Sequence, residues 1–189
     1  MLSPALQAVW PYAGILVAAI IEGEIAYLAA AALVAQGQLD AFGVLVSGAL
    51  GASIGDQVYF YLFRGRLPRW VARFPSLQER AAPLVERVRR HAALAVLMIR
   101  FSPGLRVALA AACAWVDVSP RLFSVLNLIS AFLWASVLLI LVGWFGPAVL
   151  ASVGLDGWKG AVAIGLVLFA LFKAFGVYER RVVERRATR

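Results

Sequence analysis

The chain of 189 residues is 63% hydrophobic and only 15% charged, with a mean hydropathy of +0.86, which excludes an ordinary soluble domain, whose composition is close to half apolar. Its net charge of +8 is almost wholly arginine, clustered between Arg64 and Arg90 and again between Arg180 and Arg189; basic clusters flanking apolar spans follow the positive-inside pattern and argue against a nucleic-acid partner. Cys113 is the single cysteine, so an intrachain disulfide and a thiolate metal site are excluded, and no metal or cofactor is expected.

Residues 1–10 carry no basic n-region and no evident cleavage site, so the first apolar stretch is expected to be retained. Residues 9–21 and 25–35 are each about half a bilayer long as helices. Glu22-Gly23-Glu24 joins them and the turn-like Gly37-Gln38-Leu39-Asp40 follows, which predicts a hairpin entering from outside. Residues 41–63 are long enough to cross the hydrocarbon core. The segment 64–91 holds Pro68, Pro75 and Pro83 among its arginines and reads as a cytoplasmic loop ending in an amphipathic surface helix. Two more half-length stretches, 92–99 and 107–116, flank the helix-breaking Ser102-Pro103-Gly104. Segments 122–145 and 158–178 are further spans, and a basic tail, 179–189, closes the chain.

If the loop and the tail are both cytoplasmic, the chain between them crosses an even number of times, and 92–120 enters and leaves on one side as a re-entrant hairpin. The alternative is one kinked spanning helix, with loop and tail on opposite sides. The predicted fold class is therefore an all-α integral membrane protein in a single membrane domain, 1–189. A hairpin-plus-span repeat (9–63) and the loop (64–91) precede a second, inverted repeat (92–146) and a last span (158–178). Placing Gly23 on Gly104 also places Ala29–Ala31 on Ala110–Ala112 and Phe42 on Phe123. Inverted repeats of broken helices are a recurrent transporter plan.

A charge near the bilayer centre costs on the order of 3 kcal/mol even on the lenient insertion scale, so each asks for a partner or a purpose. Glu22 and Glu24 flank a glycine and form a pair suited to proton exchange. Arg100 and Arg106 bracket the Ser-Pro-Gly break, and a guanidinium stays charged when buried while its planar fork matches phosphate or carboxylate. The backbone at Gly104 and the start of the following half-helix add to the same anion-binding field, and Ser102 is expected to help cap that helix. The bland alternative is that the arginines neutralise the glutamates as structural salt bridges.

Asp56 lies about 10 Å from the cytoplasmic end of its span, a depth similar to those of Arg100 and Asn127 in theirs. It is the expected partner of Arg100 and joins the proton-coupling group, with snorkelling near the interface as the alternative. Asn127 is either a supporting polar residue of the site or a helix-packing amide. Tyr59, Tyr61, Trp144 and Trp158 are read as interface anchors or packing residues. No enzyme motif is present: His91 is the single histidine, a glycine-rich phosphate loop with its lysine is missing, and no base is positioned for Ser102. The chain is not expected to be an enzyme.

Several of these residues resemble the DedA family, also described as SNARE-associated or VTT-domain membrane proteins. The resemblance rests on Glu22-Gly23-Glu24 with the alanine-rich run and Gln36-Gly37-Gln38-Leu39, and on Gly51 and Gly55-Asp56-Gln57-Val58-Tyr59-Phe60 with Arg64-Gly65-Arg66. Its most specific part is Arg100-Phe101-Ser102-Pro103-Gly104-Leu105-Arg106, with Phe123, Asn127 and Trp134 downstream. It implies a multi-pass protein of the bacterial inner membrane with two opposed re-entrant hairpins. It also implies translocation of lipids, notably recycling of undecaprenyl phosphate, and dependence on the proton-motive force. Glu22 and Glu24 then take the family's acidic role and Arg100 and Arg106 its basic one.

The expected function is thus proton-coupled translocation of an anionic lipid phosphate, a polyprenyl phosphate or a phospholipid, with anionic lipids at the basic loop and self-association left open. A proton-coupled transporter of small ions or solutes and a non-transporting membrane scaffold remain as alternatives.

Overall fold

The computed structural model describes residues 4–66, 73–102 and 105–153. The predicted span at 158–178 and the basic tail at 179–189 lie outside the described residues. Within them the chain is helical, in six helices: α1 (Pro4–Ala35), α2 (Ala41–Phe63), α3 (Pro75–Arg90), α4 (Ala92–Met98), α5 (Arg106–Trp115) and α6 (Pro120–Val153). Two stretches, Ala41–Phe63 and Pro120–Phe145, are long and apolar enough to cross a membrane.

Capping explains where both begin. The Asp40 carboxylate accepts a hydrogen bond from the Gly43 amide at 2.7 Å, and the Ser119 hydroxyl accepts one from Leu122 at 3.3 Å, each satisfying an amide left open in a first helical turn. At the far end of α2, Gly65 has φ +69°, a left-handed conformation that glycine adopts at little cost and that ends a helix.

The chain divides into two compact units, Met1–Ala52 with Phe132–Arg189, and Ser53–Ala131. In the first, α1 runs unbroken through the acidic tripeptide, so Glu22-Gly23-Glu24 is helical rather than an unwound connector. Glutamate is a good helix former, a glycine inside a helix costs only about 1 kcal/mol, and no proline interrupts this stretch.

Nevertheless α1 is not straight. The Tyr12 hydroxyl accepts a hydrogen bond from the Asp40 amide at 3.0 Å. A straight helix would set Tyr12 roughly 35 Å from Ala35, and five extended residues span at most about 18 Å. Gly43 faces the Tyr12 ring, Gly51 faces the Leu16 carbonyl and Ala19, and Gly48 faces the Tyr27 ring. The chain therefore ascends beside α2 from Tyr12 to Ala19 and is descending again by Tyr27. Its reversal lies between Ala19 and Tyr27, the interval that holds the acidic tripeptide. Tyr27 also donates to the Ala135 carbonyl at 2.9 Å, and Leu28, Ala31 and Ala32 bury themselves with Val142.

In the second unit, Ser102 belongs to the non-helical stretch between α4 and α5, as its helix-breaking neighbours predict. The Ser130 hydroxyl donates to the Leu97 carbonyl at 2.7 Å, satisfying one of the acceptors exposed where α4 ends. Val96 and Ile99 pack with Leu109, Ala110, Ala112 and Cys113, and Phe60 stacks on Phe123 with ring centroids 4.0 Å apart.

The amphipathic helix expected at the end of the basic loop is α3. Its apolar stripe of Ala81, Leu84, Val85 and Val88 is spent on this protein core, while Arg80, Arg87, Arg89 and Arg90 stay exposed. Two residues past the end of α5, Asp117 has a left-handed φ of 57°; the following Val118 amide bonds back to Cys113 O at 3.0 Å, and Arg64 pairs with the Asp117 carboxylate at 2.8 Å.

Candidate functional site

Asp56 lies seven residues before the end of α2, about 10 Å in along the helix axis, and is fully buried. Its two oxygens are shared among three donors. Arg100 Nε reaches Oδ2 at 2.9 Å, Arg106 Nε binds Oδ1, and Asn127 Nδ2 donates to Oδ2 at 2.9 Å. Arg100 lies in the turn two residues past α4, Arg106 is the first residue of α5 and Asn127 lies on α6, so three segments aim at one carboxylate. The guanidinium of Arg106 also stands 5.8 Å from the Tyr59 ring centroid, giving that tyrosine a cation–π contact in addition to its packing.

The cluster continues outward through neutral polar groups. Asn127 Oδ1 accepts from the Ser53 hydroxyl at 2.8 Å, Gln57 donates to Ser53 Oγ at 3.2 Å, and Ser124 donates to Gln57 Oε1 at 3.2 Å. Ser53, Gln57 and Ser124 escape a reading that looks only for charges. Their spacing carries a signal: 53, 56 and 57 share one helical face, as do 124 and 127.

Among the described residues, one carboxylate receives two guanidiniums in a buried setting. Arg100 is 3% exposed and the Arg106 side chain 15%. Arg106 Nη2 is buried with no hydrogen-bond partner among the described residues. Arg106 also opens α5, where the helix dipole disfavours a cation and favours an anion.

The structure thus brings together Arg100, Arg106, Asp56 and Asn127, and Asp56 is a buried ion-pair partner rather than a snorkelling residue. Ser102 is half-buried, and its carbonyl accepts from the Leu105 amide at 3.1 Å. The expectation that Ser102 caps α5 is corrected: the N-cap residue is Leu105, three positions further along the chain, and no side chain caps it; a capping side chain normally comes from the N-cap residue itself. Gly104 and the Glu22 side chain lie outside the described residues. Glu24 is half-buried on α1 in the first unit. Among the described residues no cluster of histidine, cysteine and carboxylate groups could hold a metal ion.

Comparison with known proteins fits this arrangement. Residues 20–145 match the VTT domain, a range holding the acidic tripeptide and every member of the polar cluster. The chain is 34% identical over 143 residues to inner membrane protein YohD of Escherichia coli (strain K12), a match covering 74% of this chain and 72% of that protein. No solved structure matches. The chain therefore belongs to the VTT-domain, or DedA, family of membrane proteins.

Proposed function

We propose that the protein is an inner-membrane translocase for an anionic lipid phosphate, of the undecaprenyl phosphate or phospholipid type, driven by proton exchange at Glu22 and Glu24. The observation that carries this reading is the convergence of Arg100 and Arg106 on the single buried carboxylate of Asp56, with Arg106 Nη2 left without a hydrogen-bond partner among the described residues. A buried guanidinium with an unused donor is costly to keep, and a bound phosphate accepts from that open face of Arg106. Asp56 holds the two forks parted when no substrate is bound, and the phosphate competes with it for them. Translocation makes and breaks no covalent bond, so the reading requires no catalytic residue, metal or cofactor.

The doubled-back α1 and the α4–α5 pair are read as hairpins that dip into the membrane from opposite faces, with the basic loop and tail cytoplasmic. Helices α4 and α5, with seven and ten residues, are about 10 and 15 Å long and cannot cross a core of about 30 Å singly, which supports that plan. The exposed arginines of α3 then face anionic head groups of the cytoplasmic leaflet.

Head-group accessibility of undecaprenyl phosphate in proteoliposomes, with and without a pH gradient, tests the reading. Wild type is expected to move the lipid, faster under the gradient, and Arg106→Ala to abolish movement. Unchanged movement by Arg106→Ala overturns it. Transport of soluble phosphate in place of lipid would make the protein a solute transporter, and movement of neither would leave a scaffold.

A further inference from the structure

A groove of about 540 Å³ runs along α2 in the second unit, lined by Ile54, Gln57, Val58, Tyr61, Leu62 and Arg66. Ile54, Val58, Tyr61 and Leu62 recur at helical spacing and are 41–53% exposed. An exposed apolar helix face is ordinary in a membrane; the two polar ends of this one are not.

At one end Gln57 belongs to the hydrogen-bond path that passes through Ser53 and Asn127 to Asp56. Its two bonds, to Ser53 and from Ser124, are both 3.2 Å, whereas those deeper in, between Ser53 and Asn127 and between Asn127 and Asp56, are 2.8 and 2.9 Å. The outer pair is the longer, and Gln57 is the member of the network that also lines the groove. At the other end, just past the left-handed Gly65, Arg66 stands exposed, beyond the end of α2, which itself runs about 9 Å from Gln57 to Phe63.

Resting on the lipid-phosphate reading above, we infer that this groove is the entry seat of the substrate. Arg66 captures the phosphate at the membrane surface, Ile54, Val58, Tyr61 and Leu62 hold the adjoining stretch of hydrocarbon tail, and Gln57 is the gate through which the head leaves for Arg106. An apolar trough with a cation at its surface end complements an amphiphile with an anionic head, and continuity with the cluster gives that head a destination. Gln57 acts as a positioning residue: its amide exchanges the two serine partners for a phosphate oxygen as the head passes.

The test uses a lipid phosphate carrying a photoactivatable diazirine near the head-group end of its tail, in proteoliposomes of the full chain, with labelled residues mapped by mass spectrometry. Labels are expected on Val58, Tyr61 or Leu62. Val58→Trp, which fills the groove, should lower labelling and translocation about tenfold, and Arg66→Gln should slow the initial rate roughly two- to fivefold at low salt and not at high salt. Leu62→Trp provides a second obstruction, and the wild-type label map decides the matter if neither tryptophan variant folds. Labels that map away from the groove, or wild-type translocation by both tryptophan variants, overturn the entry seat. If Arg106→Ala abolishes translocation in those same experiments, the groove alone has failed; if Arg106→Ala moves lipid like wild type, the lipid-phosphate reading has failed with it.

Discussion

The two units differ in what they bury. In the first, backbone approaches side chain wherever a glycine permits: Gly43 at the Tyr12 ring, Gly48 at the Tyr27 ring and Gly51 at the Leu16 carbonyl. Its buried residues are largely alanines, among them Ala19, Ala30, Ala31, Ala32, Ala49 and Ala52. This is the small-residue packing by which helices associate where lipid supplies no hydrophobic drive. The second unit packs larger apolar side chains, Phe60 on Phe123 and Val88, Val96 and Ile99 nearby, and adds to them a buried polar set, Ser53, Asp56, Arg100, Asn127 and Ser130, that links its helices through charge and hydrogen bonds. Small-residue packing stabilises without committing to any chemistry. A buried cluster of two guanidiniums on one carboxylate is costly to form, and the proposed anion site gives that cost a use.

Perturbations should separate the two modes. The largest expected loss follows Asp56→Ala, which leaves two guanidiniums buried without their carboxylate and should destabilise by about 3–5 kcal/mol. Replacing Asp56, Arg100 and Arg106 together by apolar residues should recover most of that stability while abolishing lipid movement, as read by thermal unfolding and by proteoliposome assay. Recovery of both would make the cluster purely structural.

Next comes Gly51→Leu, whose side chain must displace the backbone of α1. Overpacking of this kind costs up to about 3 kcal/mol, and because α1 carries Glu22 and Glu24 it should blunt the acceleration by a pH gradient while binding of a lipid phosphate stays at the wild-type level. Weakened binding would tie the first unit to the anion site itself. Asn127→Ala removes one hydrogen bond to a charged group, worth about 1.5 kcal/mol, a loss read by thermal unfolding, and should leave lipid-phosphate binding at or above the wild-type level because Asp56, the competitor for the arginines, loses its anchor to α6.

The smallest effect belongs to α3. Arg90, by hydrogen bond and charge, holds the exposed Glu86 carboxyl below its ordinary value. A lowered value in the folded state contributes stability above the unfolded-state value and loses it as the pH falls. Water screens this exposed pair, so acid titrations of stability for wild type and Glu86→Gln should superimpose.

Much of the fold is written in local pattern. Helix α2 occupies the span that apolar length predicts, 41–63, and the α4–α5 break falls where Ser102-Pro103-Gly104 demands it. Counting depth at 1.5 Å per residue was enough to pair Asp56 with Arg100. That Arg106 and Asn127 converge on the same carboxylate was not legible, because it depends on how three helices rotate about their axes.

Helix α1 shows the limit from the other side. A reversal near Glu22-Gly23-Glu24 follows from half-length apolar stretches, yet the tripeptide stays helical, and the contact that pins the reversal, Tyr12 to Asp40, has no signature in spacing. The internal repeat is equally partial: Phe42 is 73% exposed where its counterpart Phe123 is fully buried. Pattern aligns the positions, and packing gives them different work.

The central claim, that the cluster is an anion site, is tested most directly by a binding isotherm of a short-chain lipid phosphate on the purified protein in detergent, for wild type and Arg106→Ala at low and high salt. The account predicts saturable binding by wild type that weakens as salt rises and falls at least about tenfold in the variant. Equal, salt-insensitive binding by wild type and Arg106→Ala would contradict it.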